Sequence, residues 1–152
     1  MTWKCPRTIL SALTIVVIGV ASVSAHADEA SDIKYRQTIM KSIGGTMGGM
    51  GAIVKGKASQ KHAVALSHAM WRLSQTVKDI FPEGSDFGET RAKPEIWQKP
   101  TEFKTAISAF EKAAMTISKV SHSGDSVAFT QAFKALGKSC GGCHKPFRMP
   151  KK

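Results

Sequence analysis

The sequence predicts an all-α protein, an antiparallel up-down-up-down four-helix bundle, on three observations. Apolar residues recur at steps of three and four in four stretches of about 20 residues each. No segment shows the sustained alternation of apolar and polar residues that marks a half-buried strand. The joins after the first and third stretches are short, which favours antiparallel neighbours. A length of 152 residues, with 42% hydrophobic and 22% charged residues, suits one globular domain with its own core.

The N-terminus is read apart from the bundle. Lys4 and Arg7 precede an uncharged, mostly apolar run, Ile9 to Val23, and Ala25-His26-Ala27 supplies a small-x-small cleavage pattern. That order is the order of a secretory signal peptide, and the run is short for a membrane span. Residues 1–27 are therefore expected to be cleaved, taking Cys5 and His26 with them. The remaining domain, residues 28–152, is expected to be exported, to the periplasm in a bacterial host, with no stable membrane insertion. Losing Lys4 and Arg7 lowers the net charge from +11 to +9. An exported protein does not meet nucleic acid, and the lysines are scattered along the chain. The excess therefore reads as a solvated surface or as complementarity to an acidic protein.

The first stretch runs from about Ser31 to Lys55, with Ile33, Arg36, Met40, Ile43 and Met47 on one face. Glycines at 44, 45, 48, 49 and 51 are costly inside a helix. They predict a kink there, or a large group close to the backbone. The second stretch runs from about Ser59 to Phe81 and is stopped by Pro82 and Gly84. A linker rich in Pro and Gly follows, expected to pack through Phe87, Ile96 and Trp97. The third stretch opens at Thr101 as N-cap and carries Phe103, Ile107, Phe110, Ala114, Ile117 and Val120. The fourth opens at Asp125, with Val127, Phe129, Phe133, Leu136, Cys140, Cys143, His144 and Phe147 as its buried stripe.

The chemistry is concentrated in Cys140-Gly141-Gly142-Cys143-His144, the C-x-x-C-H attachment sequence of a c-type haem. Two cysteines three apart sit on one side of a helical turn, so both sulfurs can reach the vinyl groups of one porphyrin. His144 follows directly and suits the proximal iron ligand. A zinc site needs about four ligands, and no second pair is present. A thioredoxin-like pair belongs at a helix start beside strands. Spacing alone also suits a plain disulfide. By residue type Met40, Met47, Met50 and Met70 are all candidate thioether ligands, and methionine is equally ordinary core filler. His62, His68 and His122 read as surface or satisfied core histidines. Trp71 and Trp97 suit either a porphyrin neighbour or core packing.

The C-terminal haem motif, with Lys34-Tyr35-Arg36-Gln37, with Arg91-Ala92-Lys93-Pro94-Glu95-Ile96-Trp97 and with Phe147-Arg148, resembles the cytochrome c-prime family, the class II c-type cytochromes. The resemblance spans essentially all of residues 28–152. It implies one haem c attached through Cys140 and Cys143. It places Arg36 near a haem propionate and gives Arg148 a role beside the motif. It also implies Met40 as the sixth ligand, as in low-spin members, where five-coordinate members carry an apolar residue. The expected function is then a periplasmic electron carrier, not an enzyme, serving redox partner proteins. Lys138, Lys145, Lys151 and Lys152 would face an acidic partner. The alternative is a five-coordinate module that binds nitric oxide or carbon monoxide. Family members often dimerise through their first two helices, so a homodimer is a further expectation.

Overall fold

A computed structural model describes residues 29–150. The leader reading, 1–27, and the closing lysines Lys151 and Lys152 fall outside them. Five helices form: α1 (Glu29–Val54), α2 (Ala63–Ser74), α3 (Glu95–Gln98), α4 (Pro100–Val120) and α5 (Ser126–Phe147). Each of α1 and α4 packs against both α2 and α5, which closes a four-helix bundle, and the short α3 lies beside α4 and α5.

The apolar stripes make the core as their spacing requires. Met50, Met70, Ala114, Ile117 and Leu136 are wholly buried, and Phe129 nearly so. They come from all four long helices, so each helix contributes its stripe to one common core. Asp125 caps α5 as expected, its carboxylate accepting from the N–H groups of Val127 and Ala128 at 2.8 and 3.0 Å. A cap of this kind contributes about 1 kcal/mol. Gly124, at φ +72°, makes the left-handed turn between α4 and that cap.

Four sequence expectations need correction. The second stretch is not one helix to Phe81. It opens with a 3-10 turn, Gln60–His62, and α2 ends at Ser74 before another 3-10 turn, Val77–Asp79. Ser74 and Thr76 donate their hydroxyls to the Trp71 and Leu73 carbonyls, diverting acceptors from the helical ladder. The third long helix begins with Pro100 at its first position rather than being capped by Thr101. Proline's preset φ and missing N–H suit that place. Val127 and Phe87 are 66% and 70% exposed, so neither belongs to the core. In the linker, Ile96 is buried and Trp97 half-buried, and the Trp97 indole N–H bonds the Phe81 and Pro82 carbonyls. Finally, α1 runs unbroken through its glycines. A Cβ at Gly49 would stand 3.1 Å from Leu66, and one at Gly51 would stand 3.3 Å from Phe133. Those two glycines admit neighbouring helices. Added Cβ atoms at Gly44, Gly45 and Gly48 would meet nothing within 4 Å.

The candidate haem crevice

At one end of the bundle α1, the α2–α3 linker, α4 and α5 leave an apolar crevice with two halves. The outer half, about 360 Å³, is lined among others by Arg36, Met40, Val77, Phe81, Phe103, Cys143, His144, Phe147 and Arg148. The inner half, about 290 Å³, is lined by Met40, Ile43, Met47, Val77, Ile107, Phe110, Cys140, Cys143, His144 and Arg148 among others. Met40, Val77, Cys143, His144 and Arg148 line both halves, so they mark where the two meet.

Helix α5 supplies one wall. Cys140, Cys143 and His144 are each half-buried on it, and both cysteines are free thiols. Burial raises the Cys140 pKa. Burial, reinforced by the neighbouring Cys140, pushes the Cys143 thiol up to about 11. Both sulfurs are therefore held uncharged against an apolar cavity. Burial, with the charges of Arg148 and Arg91, depresses the His144 pKa and favours the neutral imidazole that a metal ligand requires. The helix stops two turns after the first cysteine. Pro146 interrupts its ladder, and the Arg148 N–H closes the end on the His144 carbonyl at 3.1 Å.

The tail beyond α5 is tied to the linker. Ala92 and Arg148 form an antiparallel bridge. The Met149 N–H donates to the Arg91 carbonyl at 2.8 Å, and the Lys93 N–H donates to the Phe147 carbonyl at 3.1 Å. The Arg91 guanidinium adds two bonds to the Met149 carbonyl, at 2.9 and 2.6 Å. Three edge-to-face rings continue this side of the crevice. Phe81 meets Phe103 at 5.0 Å between centroids, and Phe103 meets Phe147 at 5.1 Å. This aromatic wall escaped sequence reasoning. Its members come from the linker, the start of α4 and the end of α5, and no local spacing joins them.

Helix α1 supplies the opposite wall. Arg36 is only 4% exposed. Its guanidinium donates to Ser85 Oγ (2.6 Å), the Ser85 carbonyl (2.7 Å), Thr90 Oγ1 (2.9 Å) and, at 3.5 Å, the Ile80 carbonyl. It also lies 5.0 Å over the Phe81 ring. Met40, one turn further on, is half-buried and lines both halves of the crevice. The other methionines are placed differently. Met47 lines only the inner half, its methyl group 3.4 Å from the position of a Cβ on Gly137. Met50 and Met70 are wholly buried in the core, and the Ser67 hydroxyl donates to the Met50 sulfur at 3.6 Å. Neither Trp71 nor Trp97 lines the crevice. His62, His68 and His122 are all exposed. Among the described residues no three His, Cys, Asp or Glu side chains converge as a metal cluster.

Two uncharged thiols on one helical turn, a neutral imidazole beside them and a largely apolar cavity make a donor set that suits a covalently held porphyrin. A four-helix bundle carrying that turn at its C-terminal end defines a class, the monohaem c-type cytochromes built on helical bundles. The chain belongs to the cytochrome c′ family, whose family model matches residues 31–148. The family's cofactor is a covalently attached haem c, and one such group is what these residues fit. The cytochrome c-556 of Agrobacterium tumefaciens strain II Chrys is 35% identical over 125 residues, which cover 80% of this chain and all of that one. The cytochrome c′ of Shewanella frigidimarina superposes with a TM-score of 0.78 at 32% identity, covering 82% of this chain and 99% of its own. A ferrous variant of the Alcaligenes xylosoxidans cytochrome c′ with bound nitric oxide superposes at 0.76, with 29% identity and coverage of 83% and 99%.

Proposed function

We propose that this chain is an exported, periplasmic electron carrier whose haem iron is held between His144 and Met40, with Cys140 and Cys143 as the covalent anchors. The observation that carries this reading is the position of Met40. Of the four candidate methionines it alone lines both halves of the crevice, as Cys143 and His144 do from the facing helix. Haem iron supplies a one-electron couple, and a methionine–histidine pair raises its potential. Two permanent ligands keep the coordination alike in both oxidation states, so little rearrangement accompanies electron transfer. The apolar linings excluding water from the crevice act in the same direction.

The leader over residues 1–27 would deliver the chain to the periplasm, and no described helix is long and apolar enough to cross a membrane. Arg36 fixes the 80–90 segment as part of the crevice wall and sets a positive charge beside the outer half, where haem carboxylates would be balanced. Arg148 adds a second charge where both halves meet. Lys138 and Lys145, both exposed on α5, offer positive charge to an acidic redox partner. Reversing both lysines to glutamate is expected to slow electron exchange with an acidic redox protein about tenfold at low salt, with the difference fading as salt rises. Stopped-flow rates across ionic strength measure this, and equal rates would remove the docking assignment.

The bound nitric oxide in the Alcaligenes relative favours a second reading, a five-coordinate gas-binding module. That reading needs Met40 to be wall rather than ligand. The optical spectrum of the ferrous protein, with and without carbon monoxide, separates the two. A low-spin spectrum with sharp bands that carbon monoxide leaves unchanged is expected for the carrier. An immediate carbon monoxide shift from a high-spin spectrum would overturn it.

A further inference from the structure

A pair of metal-capable nitrogens meets on the surface, on side chains that the haem crevice does not use. His68 lies on α2, and His122 lies in the 3-10 turn Ser121–Ser123 that closes α4. Fifty-four residues apart in sequence, their Nε2 atoms stand 3.2 Å from each other, with both rings exposed. The rings meet edge to face, 5.3 Å between centroids and 72° between planes. We propose that His68 and His122 form a two-imidazole site for a divalent transition cation of the copper, nickel and zinc group, with water completing the coordination.

The geometry carries the argument. A metal–imidazole bond is about 2.0–2.1 Å long. Two such bonds spanning the observed 3.2 Å enclose an angle of about 100° at the ion. That lies between the cis angle of a square-planar centre and the tetrahedral angle, so either geometry is reached with small ring rotations. Imidazole suits copper, nickel and zinc, whereas magnesium and calcium prefer oxygen. In the neutral pair one Nε2–H donates to the other ring's lone pair. A cation between the rings takes both lone pairs instead, and the displaced proton moves through solvent to Nδ1 of its own ring.

Both partners are held in place without the ion, which lowers the ordering cost of binding. In the His122 turn, the Ser121 and Ser123 hydroxyls donate to the Ser118 and Val120 carbonyls at 2.7 and 2.9 Å. On α2, Ser67 beside His68 is wholly buried, and the Trp71 ring stands edge-on to His68 with centroids 6.1 Å apart. Among the described residues no third His, Cys, Asp or Glu joins the pair. The site therefore offers two protein ligands, and its bound ion exchanges readily with solution.

The test is calorimetric titration of the ferric, haem-loaded protein with Zn(II), together with its melting temperature. One equivalent is expected to bind and to raise the melting temperature, because the ion bridges α2 to the end of α4. Either His68→Ala or His122→Ala is expected to weaken binding by on the order of 100-fold, the gain that tethering gives a second ligand. His62→Ala, on the exposed 3-10 turn before α2, is expected to leave affinity unchanged. The haem absorbance of each variant verifies that it is folded. Absence of stoichiometric binding, or equal affinity in His68→Ala and the parent, would overturn the site. Loss of binding in His62→Ala alone would overturn it as well.

Discussion

Ferrous Met40→Ala protein is expected to be high-spin and to bind carbon monoxide on mixing, whereas the parent is expected to be low-spin and inert. The replacement removes the one thioether that lines both halves of the crevice and leaves the α5 wall untouched. Met40 shares the inner half with Ile43, Val77, Ile107 and Phe110, so the space it leaves there is bordered mainly by apolar side chains. Such a lining favours a neutral diatomic ligand over water. Loss of the thioether also lowers the midpoint potential, by on the order of 100 mV, since axial ligand identity is the strongest lever on it. Met47→Ala is the matched control. Met47 lines the inner half alone and packs on Gly137, so its loss is expected to leave the spectrum low-spin. A low-spin Met40→Ala protein would assign the sixth ligand to another residue, for which Met47 is the other methionine lining the crevice.

A linear sequence encodes local repeats and spacings directly, and long-range partners only indirectly. The stripes of α1, α4 and α5 were legible because burial of one helical face is a local repeat, and the placement of Cys140, Cys143 and His144 together on one helical wall because their spacing is local too. The end of α2 was not. Val77 and Ile80 continue the apolar period past Ser74, and both are buried, yet the backbone there is a 3-10 turn. Periodicity reports burial, not which hydrogen-bond ladder the backbone follows. Phe87 shows the same limit in reverse, since an apolar residue in a linker carries no statement of depth. What remained hidden was long-range. The linker–tail bridge at Ala92 and Arg148, the three-ring wall and the His68–His122 pair each join segments more than 20 residues apart. No local rule places such partners together.

Arg36→Ala is expected to cost about 3 kcal/mol of stability, lowering the melting temperature by roughly 10 °C. The size follows from what the guanidinium holds. It gathers acceptors on Ile80, Ser85 and Thr90, so one side chain of α1 fixes the course of the whole 80–90 segment. Ser85 is wholly buried, and its carbonyl would lose a charge-assisted partner at a depth where water does not replace it. The Phe81 ring would also lose the cation that lies over it. Arg36→Lys is expected to recover less than half of the loss. A single ammonium is a compact point charge and cannot span the separated acceptors as a planar fork does. Gln37→Ala is the informative neighbour, because Gln37 reaches the same segment through one exposed bond to the Glu89 carbonyl at 2.6 Å. It is expected to cost under about 1 kcal/mol. Thermal unfolding of the three haem-loaded variants decides the point. Equal losses for Arg36→Ala and Gln37→Ala would mean that the segment is held by its own packing. A large loss confined to Arg36 would make this arginine the brace of the crevice wall, since Phe81 and Thr90, which line the crevice, belong to the segment it holds.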